Sequence, residues 1–508
     1  MIQLSKQKQR IQIAVASLAA LAILGTLPAR ATDDPHITQL AATSNAPLLL
    51  STAPGAERFR PVGKLMAASH CTATLIAGEG PVDPQRPALI LTAGHCAAHD
   101  LGDNNAIVDA PADSAWRYTP AYFIDTQPAH TSFAVERVLY ATMKSIDLAV
   151  MQLDATYGDL AAVGIAPMRL EPTATTIATP IELTHVPIIG VPDEERYLRH
   201  SLCTANEARR LFEDRHPWFW TSAVPNDCEG VAGGTSGSPV VLRDRASVIG
   251  VLNTTVDESN GCGSGRPCEL VEGEGMPREG SSYFIPIDSI ARAFTTDGIF
   301  DVDLLDPGSG IALTRTGHWS TRELVADAEG NMHPAIWNLQ ASTQFDELRY
   351  KVGFAQTLDC AITEGYSAAL RTTDQPLINL PTPTREGIYG MCIVGRTNGD
   401  SDWQKPEYAS VKLRQIDETP PTLTPLIAVL RETEEKWDVY GATQPSEVSS
   451  VQIKFGPRAT TDCDVDEGYH YADAHWETLS RARAPWRFCA RGADLAGNPS
   501  PVTWRDFE

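Results

Sequence analysis

The chain has 508 residues, too many for one ordinary hydrophobic core, so two to four domains are expected. Its formal net charge is −23, with 64 acidic against 41 basic side chains and no basic stripe, which speaks against nucleic acid as a partner. Ten cysteines, all beyond residue 70, form an even set suited to five disulfides and to an oxidising compartment.

Residues 1–31 read as a cleavable secretory signal. Lys6, Lys8 and Arg10 precede an apolar run from Ile11 to Leu27, and Ala29-Arg30-Ala31 places small residues where a signal peptidase reads. The run is interrupted by Gln12, Ser17, Gly25 and Thr26 and is marginal for a bilayer, and no later stretch is apolar enough to span one. The mature chain is therefore expected to be secreted or periplasmic, with no membrane span. Residues 32–56 are small, polar and proline-containing, as in a flexible leader or prosegment.

Short strands follow. Cys71–Ala77 and Ala88–Leu91 form a hairpin-like pair around a turn-rich insertion from Gly78 to Pro87. Tyr118–Ile124, Phe133–Tyr140, Leu148–Leu153, Ser247–Leu252 and Ser282–Ile287 continue the series, and Asp288 is placed to cap a short helix from Ser289 to Phe294. Residues 198–227 interrupt it: Ala205–Glu213 has helical propensity, and Trp218-Phe219-Trp220 is a dense aromatic run. That segment is expected to pack on the strands, a lid being the second choice. Cys203 is expected to pair with Cys228 beside it, and Cys262 with Cys268.

The chemistry centres on Gly233-Gly234-Thr235-Ser236-Gly237-Ser238-Pro239, a glycine-rich turn that exposes one serine and runs into an apolar strand. A nucleophilic serine needs a base, and the base needs an orienting group. His95 ends the strand-turn Leu89-Ile90-Leu91-Thr92-Ala93-Gly94-His95-Cys96, and Asp147 heads the alternating strand Leu148–Leu153. The order His, Asp, Ser along a chain recurs in one well-known fold.

The motifs Thr92-Ala93-Gly94-His95-Cys96, Asp147-Leu148-Ala149-Val150 and Gly234-Thr235-Ser236-Gly237-Ser238-Pro239 resemble those of the trypsin-like (chymotrypsin-fold) serine peptidases, over residues 57–298. The resemblance implies an all-β domain of two packed barrels and a serine endopeptidase. His95 would be the general base, Asp147 its orienting carboxylate and Ser236 the nucleophile, with the Gly234 and Ser236 amides as oxyanion hole. It also implies a Cys71–Cys96 disulfide. Thr235 stands where digestive-type members hold an aspartate, so activation through a buried N-terminal ion pair is not expected, and the motif is more similar to bacterial glutamyl-endopeptidase relatives. Gly230, Val231, Asn253, Thr254 and Thr255 are the implied substrate-pocket positions. No carboxylate stands at Gly230 to favour Lys or Arg, and Leu252 replaces the histidine of glutamate-specific relatives, which leaves a small or apolar preference.

Beyond Phe300, turn-rich stretches at 306–310 and 417–422 bound two segments, 317–416 and 422–508. They repeat one another: Asp359-Cys360-Ala361-Ile362-Thr363-Glu364-Gly365-Tyr366 answers Asp462-Cys463-Asp464-Val465-Asp466-Glu467-Gly468-Tyr469. One disulfide each, Cys360–Cys392 and Cys463–Cys489, and short strands such as Leu348–Phe354 and Ser450–Phe455 suggest modules similar to bacterial immunoglobulin-like (Ig-like) β-sandwiches. They are expected to act as spacers or to hold a cell-surface or matrix ligand. Asp462, Asp464 and Asp466 alternate like calcium-loop ligands, but the glycine comes one residue late and the sister module lacks the series, so neither metal nor cofactor is expected. The expected partners are protein or peptide substrates. The alternative is a catalytically inactive peptidase-fold protein that binds through its modules.

Overall fold

The computed structural model describes residues 46–508 apart from 99–100, 214–217, 244, 257–261, 264–265, 309, 398–401, 445–446 and 473–475. The expected signal segment and residues 32–45 of the leader lie outside the described residues. Among the described residues no helix is long and apolar enough to cross a membrane.

Seven strands come first: β1 (Val62–Met66), β2 (His70–Ala77), β3 (Pro87–Thr92), β4 (Ala106–Pro111), β5 (Arg117–Pro120), β6 (Phe133–Thr142) and β7 (Leu148–Thr156). Antiparallel pairing runs β1 to β2, β3, β7, β6 and β5, and β5 returns to β1, so six strands close into a barrel with no free edge in the ring. Gly63 permits the closure, since a Cβ there would lie 1.9 Å from the Thr119 carbonyl on β5. Inside, Leu65, Leu75, Ile90 and Val150 are buried, and the phenol of Tyr118 accepts from Leu75 N at 3.2 Å while donating to Pro61 O. The β5 strand ends at Pro120, short of the expected Ile124, because Ala121 turns the chain at φ 48°.

The second set is β8 (Met168–Leu170), β9 (Thr179–His185), β10 (Arg199–Ala205), β11 (Arg209–Glu213), β12 (Trp218–Asn226), β13 (Pro239–Leu242), β14 (Ser247–Thr255), β15 (Cys268–Val271), β16 (Glu274–Pro277) and β17 (Ser282–Pro286). Here β9, β10, β12, β17, β14 and β13 close a second six-stranded ring. The short β8 runs parallel to both β2 and β14 and ties the rings together. A helix at Asp288–Arg292 follows; Ile287 occupies its N-cap and Asp288 is its first residue, so the expected Asp288 cap is not formed.

The expected helix at Ala205–Glu213 is instead the strand β11, paired with β12 on one side and β15 on the other. Its two faces part company, with Leu211 in the main core of the two rings and Phe212 in a cluster with Phe219, Leu270 and Trp319. Tertiary pairing has overridden the helix-forming composition.

Residues 313–416 form a five-stranded sheet, in spatial order Ser320–Thr321, Ser410–Ile416, Gly387–Arg396, Glu347–Phe354 and Leu370–Arg371, with a two-stranded pair Leu313–Arg315 and Leu339–Ala341 sharing its core and an exposed hairpin Leu324–Ala326 and Met332–Pro334. Residues 426–507 form a three-stranded and a four-stranded sheet around Trp437, Val439, Ile453 and Phe488. The sequence repeat is a shared device. In each module a lysine one strand away, Lys351 or Lys454, donates to two carbonyls of the Asp-Cys loop, and the repeat tyrosine donates to the cysteine carbonyl at 3.0 or 2.8 Å. Asp462 accepts from Asp464 N, and Asp466 pairs with Arg491, so this aspartate series serves its own loop. Disulfides join Cys71–Cys96, Cys203–Cys228, Cys262–Cys268, Cys360–Cys392 and Cys463–Cys489.

Candidate active site

His95 sits in a single 3-10 turn, Gly94–Cys96, at the end of β3, and Asp147 precedes β7, which pairs with β3. The neighbouring strands therefore present the two side chains to each other. The Asp147 carboxylate accepts twice from one residue: Oδ1 from the His95 amide at 2.9 Å and Oδ2 from His95 Nδ1 at 2.7 Å. That pairing fixes the proton on Nδ1 and leaves Nε2 as the basic nitrogen. The Asp147 side chain is 3% exposed and that of His95 29%. Burial depresses the imidazolium, but the Asp147 charge, its hydrogen bond and the Glu213 charge outweigh burial, so the His95 pKa lies above its ordinary 6.5.

Ser236 lies in the loop before β13, which the neighbouring barrel holds through Thr72. The Thr72 amide donates to Ser236 O at 2.8 Å and its hydroxyl to Gly234 O at 3.1 Å. Gly237, at φ 86°, comes so close that a Cβ would lie 2.1 Å from both Thr72 O and Thr92 Oγ1. Cys71, next to Thr72, is bonded to Cys96, next to His95. The serine and histidine loops thus share one anchoring strand, β2. The Ser236 hydroxyl leans on Asn253 O at 3.4 Å, a long contact that leaves it available to a base. Among the described residues the Gly234 and Ser236 amides have no hydrogen-bond partner, whereas the Gly233 carbonyl accepts from Ile188 N and Ile189 N at 2.8 and 3.0 Å. Two amides left open beside a serine hydroxyl are what a developing oxyanion needs.

Asn253, expected in the substrate pocket, is 8% exposed, and its side chain points elsewhere. Nδ2 donates to Asp147 O at 2.6 Å and Oδ1 accepts from Ile285 N at 3.1 Å. One residue therefore touches the Asp147 main chain with its amide and Ser236 Oγ with its carbonyl. Gly230 is buried at φ 76°, where a Cβ would strike Ala46, and Val231 is half-buried. Thr254 donates to Glu213 and Thr255 to Ser281 O, each at 3.3 Å. Sequence reasoning missed Glu213, which β11 carries to the site; no local signal marks it. A cleft of about 940 Å³ lined by Phe212, Arg266, Trp319, Glu386 and Asp494 contains none of the three candidate catalytic side chains.

Residues 71–251 match the family model described as a trypsin-like peptidase domain. No curated protein matches the chain. Among solved structures, similarity is found to a thermostable serine protease from an extremophilic microorganism (14% identity, 45% of this chain and 92% of that one, TM-score 0.29). It extends to the protease Anisep from Arthrobacter nicotinovorans (14% identity, 45% and 90%, TM-score 0.30) and to human heparin binding protein (15% identity, 48% and 92%, TM-score 0.30). Residues 71–251, the span that matches the trypsin-like peptidase domain model, hold His95, Asp147 and Ser236.

Proposed function

We propose that the chain is a secreted or periplasmic serine endopeptidase that works through His95, Asp147 and Ser236, with two Ig-like modules behind the peptidase domain. The observation that carries the proposal is the pair of hydrogen bonds from His95 to Asp147, at 2.9 and 2.7 Å, together with a Ser236 loop that is anchored on the same strand β2 and leaves two amides open.

His95 Nε2 takes the Ser236 proton as Oγ attacks the scissile carbonyl. Asp147 holds the tautomer and stabilises the imidazolium that forms. The Gly234 and Ser236 amides receive the oxyanion, a contribution worth about a hundred- to a thousandfold in rate per donor. The imidazolium then protonates the leaving amine, and water, deprotonated by His95, hydrolyses the acyl-enzyme. No acidic side chain stands at Gly230 or Val231, in keeping with a small or apolar residue before the cleaved bond.

Wild type and Ser236→Ala are compared on casein, with a peptide-library digest read by mass spectrometry. Peptide cleavage by wild type and its loss in the variant, by about a millionfold in turnover, are expected. Equal rates, or no cleavage by wild type, would remove the proposal in favour of a binding protein; ester hydrolysis without peptide cleavage would narrow it.

A further inference from the structure

Residues 142–147 deliver Asp147, and they are held from several sides. Thr142 Oγ1 donates to Asn105 O at 2.8 Å and accepts from Lys144 N at 3.0 Å. Ser145 sits at φ 62°, and its carbonyl accepts from Thr221 N of β12 at 3.1 Å. Lys144 leaves the peptidase domain altogether. Its side chain is 3% exposed, and Nζ lies 2.7 Å from Asp306 Oδ2 and 2.6 Å from Tyr408 O. The stretch at 306–310, expected as a linker, and the module after it thus supply both partners of a buried ammonium.

The same face carries more contacts. Asn104 exchanges two bonds with the Val411 main chain at 3.1 and 2.8 Å, and Lys412 pairs with Asp103 at 2.6 Å. Arg210 on β11 donates to Ala355 O and Leu358 O, and Ile388 N to Gly273 O at 2.7 Å. Between them Phe212, Phe219 and Leu270 share one apolar cluster with Trp319, Ile388 and Val411, and the Phe212 and Trp319 rings are 5.2 Å apart. A module that only sets distance needs no shared core and no buried charge crossing into the active-site loop, because a buried ammonium is costly unless fully partnered.

We infer that the first C-terminal module is a working part of the catalytic unit, and that Lys144 is a positioning residue through which the module fixes the loop of Asp147. The connection to His95 is direct: a Cβ on Gly94 would lie 2.1 Å from Thr142 O and 2.9 Å from Asp147 Oδ1, so a shift of 142–147 is passed to the histidine turn. The inference rests on the peptidase proposal above.

The test uses the full-length chain with Lys144→Met, Lys144→Arg and Asp306→Asn. It reads kcat and KM on a peptide substrate, amide hydrogen exchange across 142–147, and the low-field proton resonance of the His95 Nδ1–H bonded to Asp147. In Lys144→Met, kcat is expected to fall by about tenfold or more with KM within about twofold, since a misplaced catalytic group costs rate rather than binding. Exchange at 142–147 accelerates, the low-field resonance broadens, and Lys144→Arg restores most of kcat. Trp504→Ala, exposed in the second module, leaves all three unchanged. A folded Lys144→Met with wild-type kcat and exchange would overturn the inference. Should that variant not fold, Asn104→Ala and Asp306→Asn carry the same expectation and the same refutation. If wild type cleaves nothing, the peptidase proposal fails by itself, and the exchange and resonance readouts still decide whether the module holds the loop.

Discussion

Asn253→Ala tests how the site is held together. The side chain satisfies two main-chain groups, Asp147 O at 2.6 Å and Ile285 N at 3.1 Å, on residues only 2% and 1% exposed. Alanine leaves both unpaired in the interior, at about 1–3 kcal/mol each, so a loss of roughly 2–6 kcal/mol is expected. For a domain of this size, at about 2–4 °C per kcal/mol, that lowers the melting temperature by roughly 4–24 °C. Freed from its tether, Asp147 no longer fixes the imidazole, and kcat should fall by about ten- to a hundredfold while KM moves little. Asn253→Asp keeps the acceptor for Ile285 N but loses the donor to Asp147 O, so it should recover part of the stability and little of the rate. Denaturant unfolding and steady-state kinetics on one peptide substrate read both effects. A stability loss under about 0.5 kcal/mol in Asn253→Ala, with unchanged kcat, would refute the reasoning.

His95 must be neutral to act as base, and its pKa is raised, so kcat/KM should decline as pH falls through a midpoint above 6.5; Asp147→Asn removes the largest opposing charge, should move the midpoint down, and should cut kcat by about ten-thousandfold. The same raised pKa means that the charged His95–Asp147 pair stabilises the fold fully below pH 6.5 and less as pH climbs through that midpoint, which urea titrations of wild type and His95→Ala should show. His185 is buried, neither ring nitrogen has a hydrogen-bond partner among the described residues, and burial, then Arg199 and His200, push its pKa down to about 3 from 6.5. The unfolded chain therefore takes up this proton first as pH falls. His185→Leu should gain about 2 kcal/mol relative to wild type between pH 8 and pH 5, measured by chemical denaturation. Asp417 is raised to about 6 by burial, with Asp494, Glu386 and Glu418 adding to it against a bond from Thr419 N. Stability should fall as pH rises through 6, and Asp417→Asn should raise the melting temperature at pH 8 while leaving it unchanged below pH 4.

The three candidate catalytic side chains were legible because each lies in a short motif whose backbone is locally determined: a glycine turn for Ser236, a strand end for His95 and a strand head for Asp147. The five disulfides join cysteines 6 to 32 residues apart, near enough in order to be read along the chain. What stayed hidden depends on partners distant in sequence. Arg209-Arg210-Leu211-Phe212-Glu213 has the composition of a helix, and only its flanks β12 and β15 make it a strand and bring Glu213 to the site. Asn253 looks like any pocket-lining polar residue until Asp147 and Ile285 are seen beside it. Lys144, in the short turn between β6 and Asp147, gives no sign in the sequence that Asp306 and Tyr408 await it.

The central claim is that Ser236 is the nucleophile that His95 activates. Wild type treated with a fluorophosphonate and analysed by intact mass and peptide mapping should carry one adduct, on Ser236, formed more slowly as pH falls through the His95 midpoint and absent from Ser236→Ala. An adduct on another residue, or equal labelling of Ser236→Ala, would contradict it.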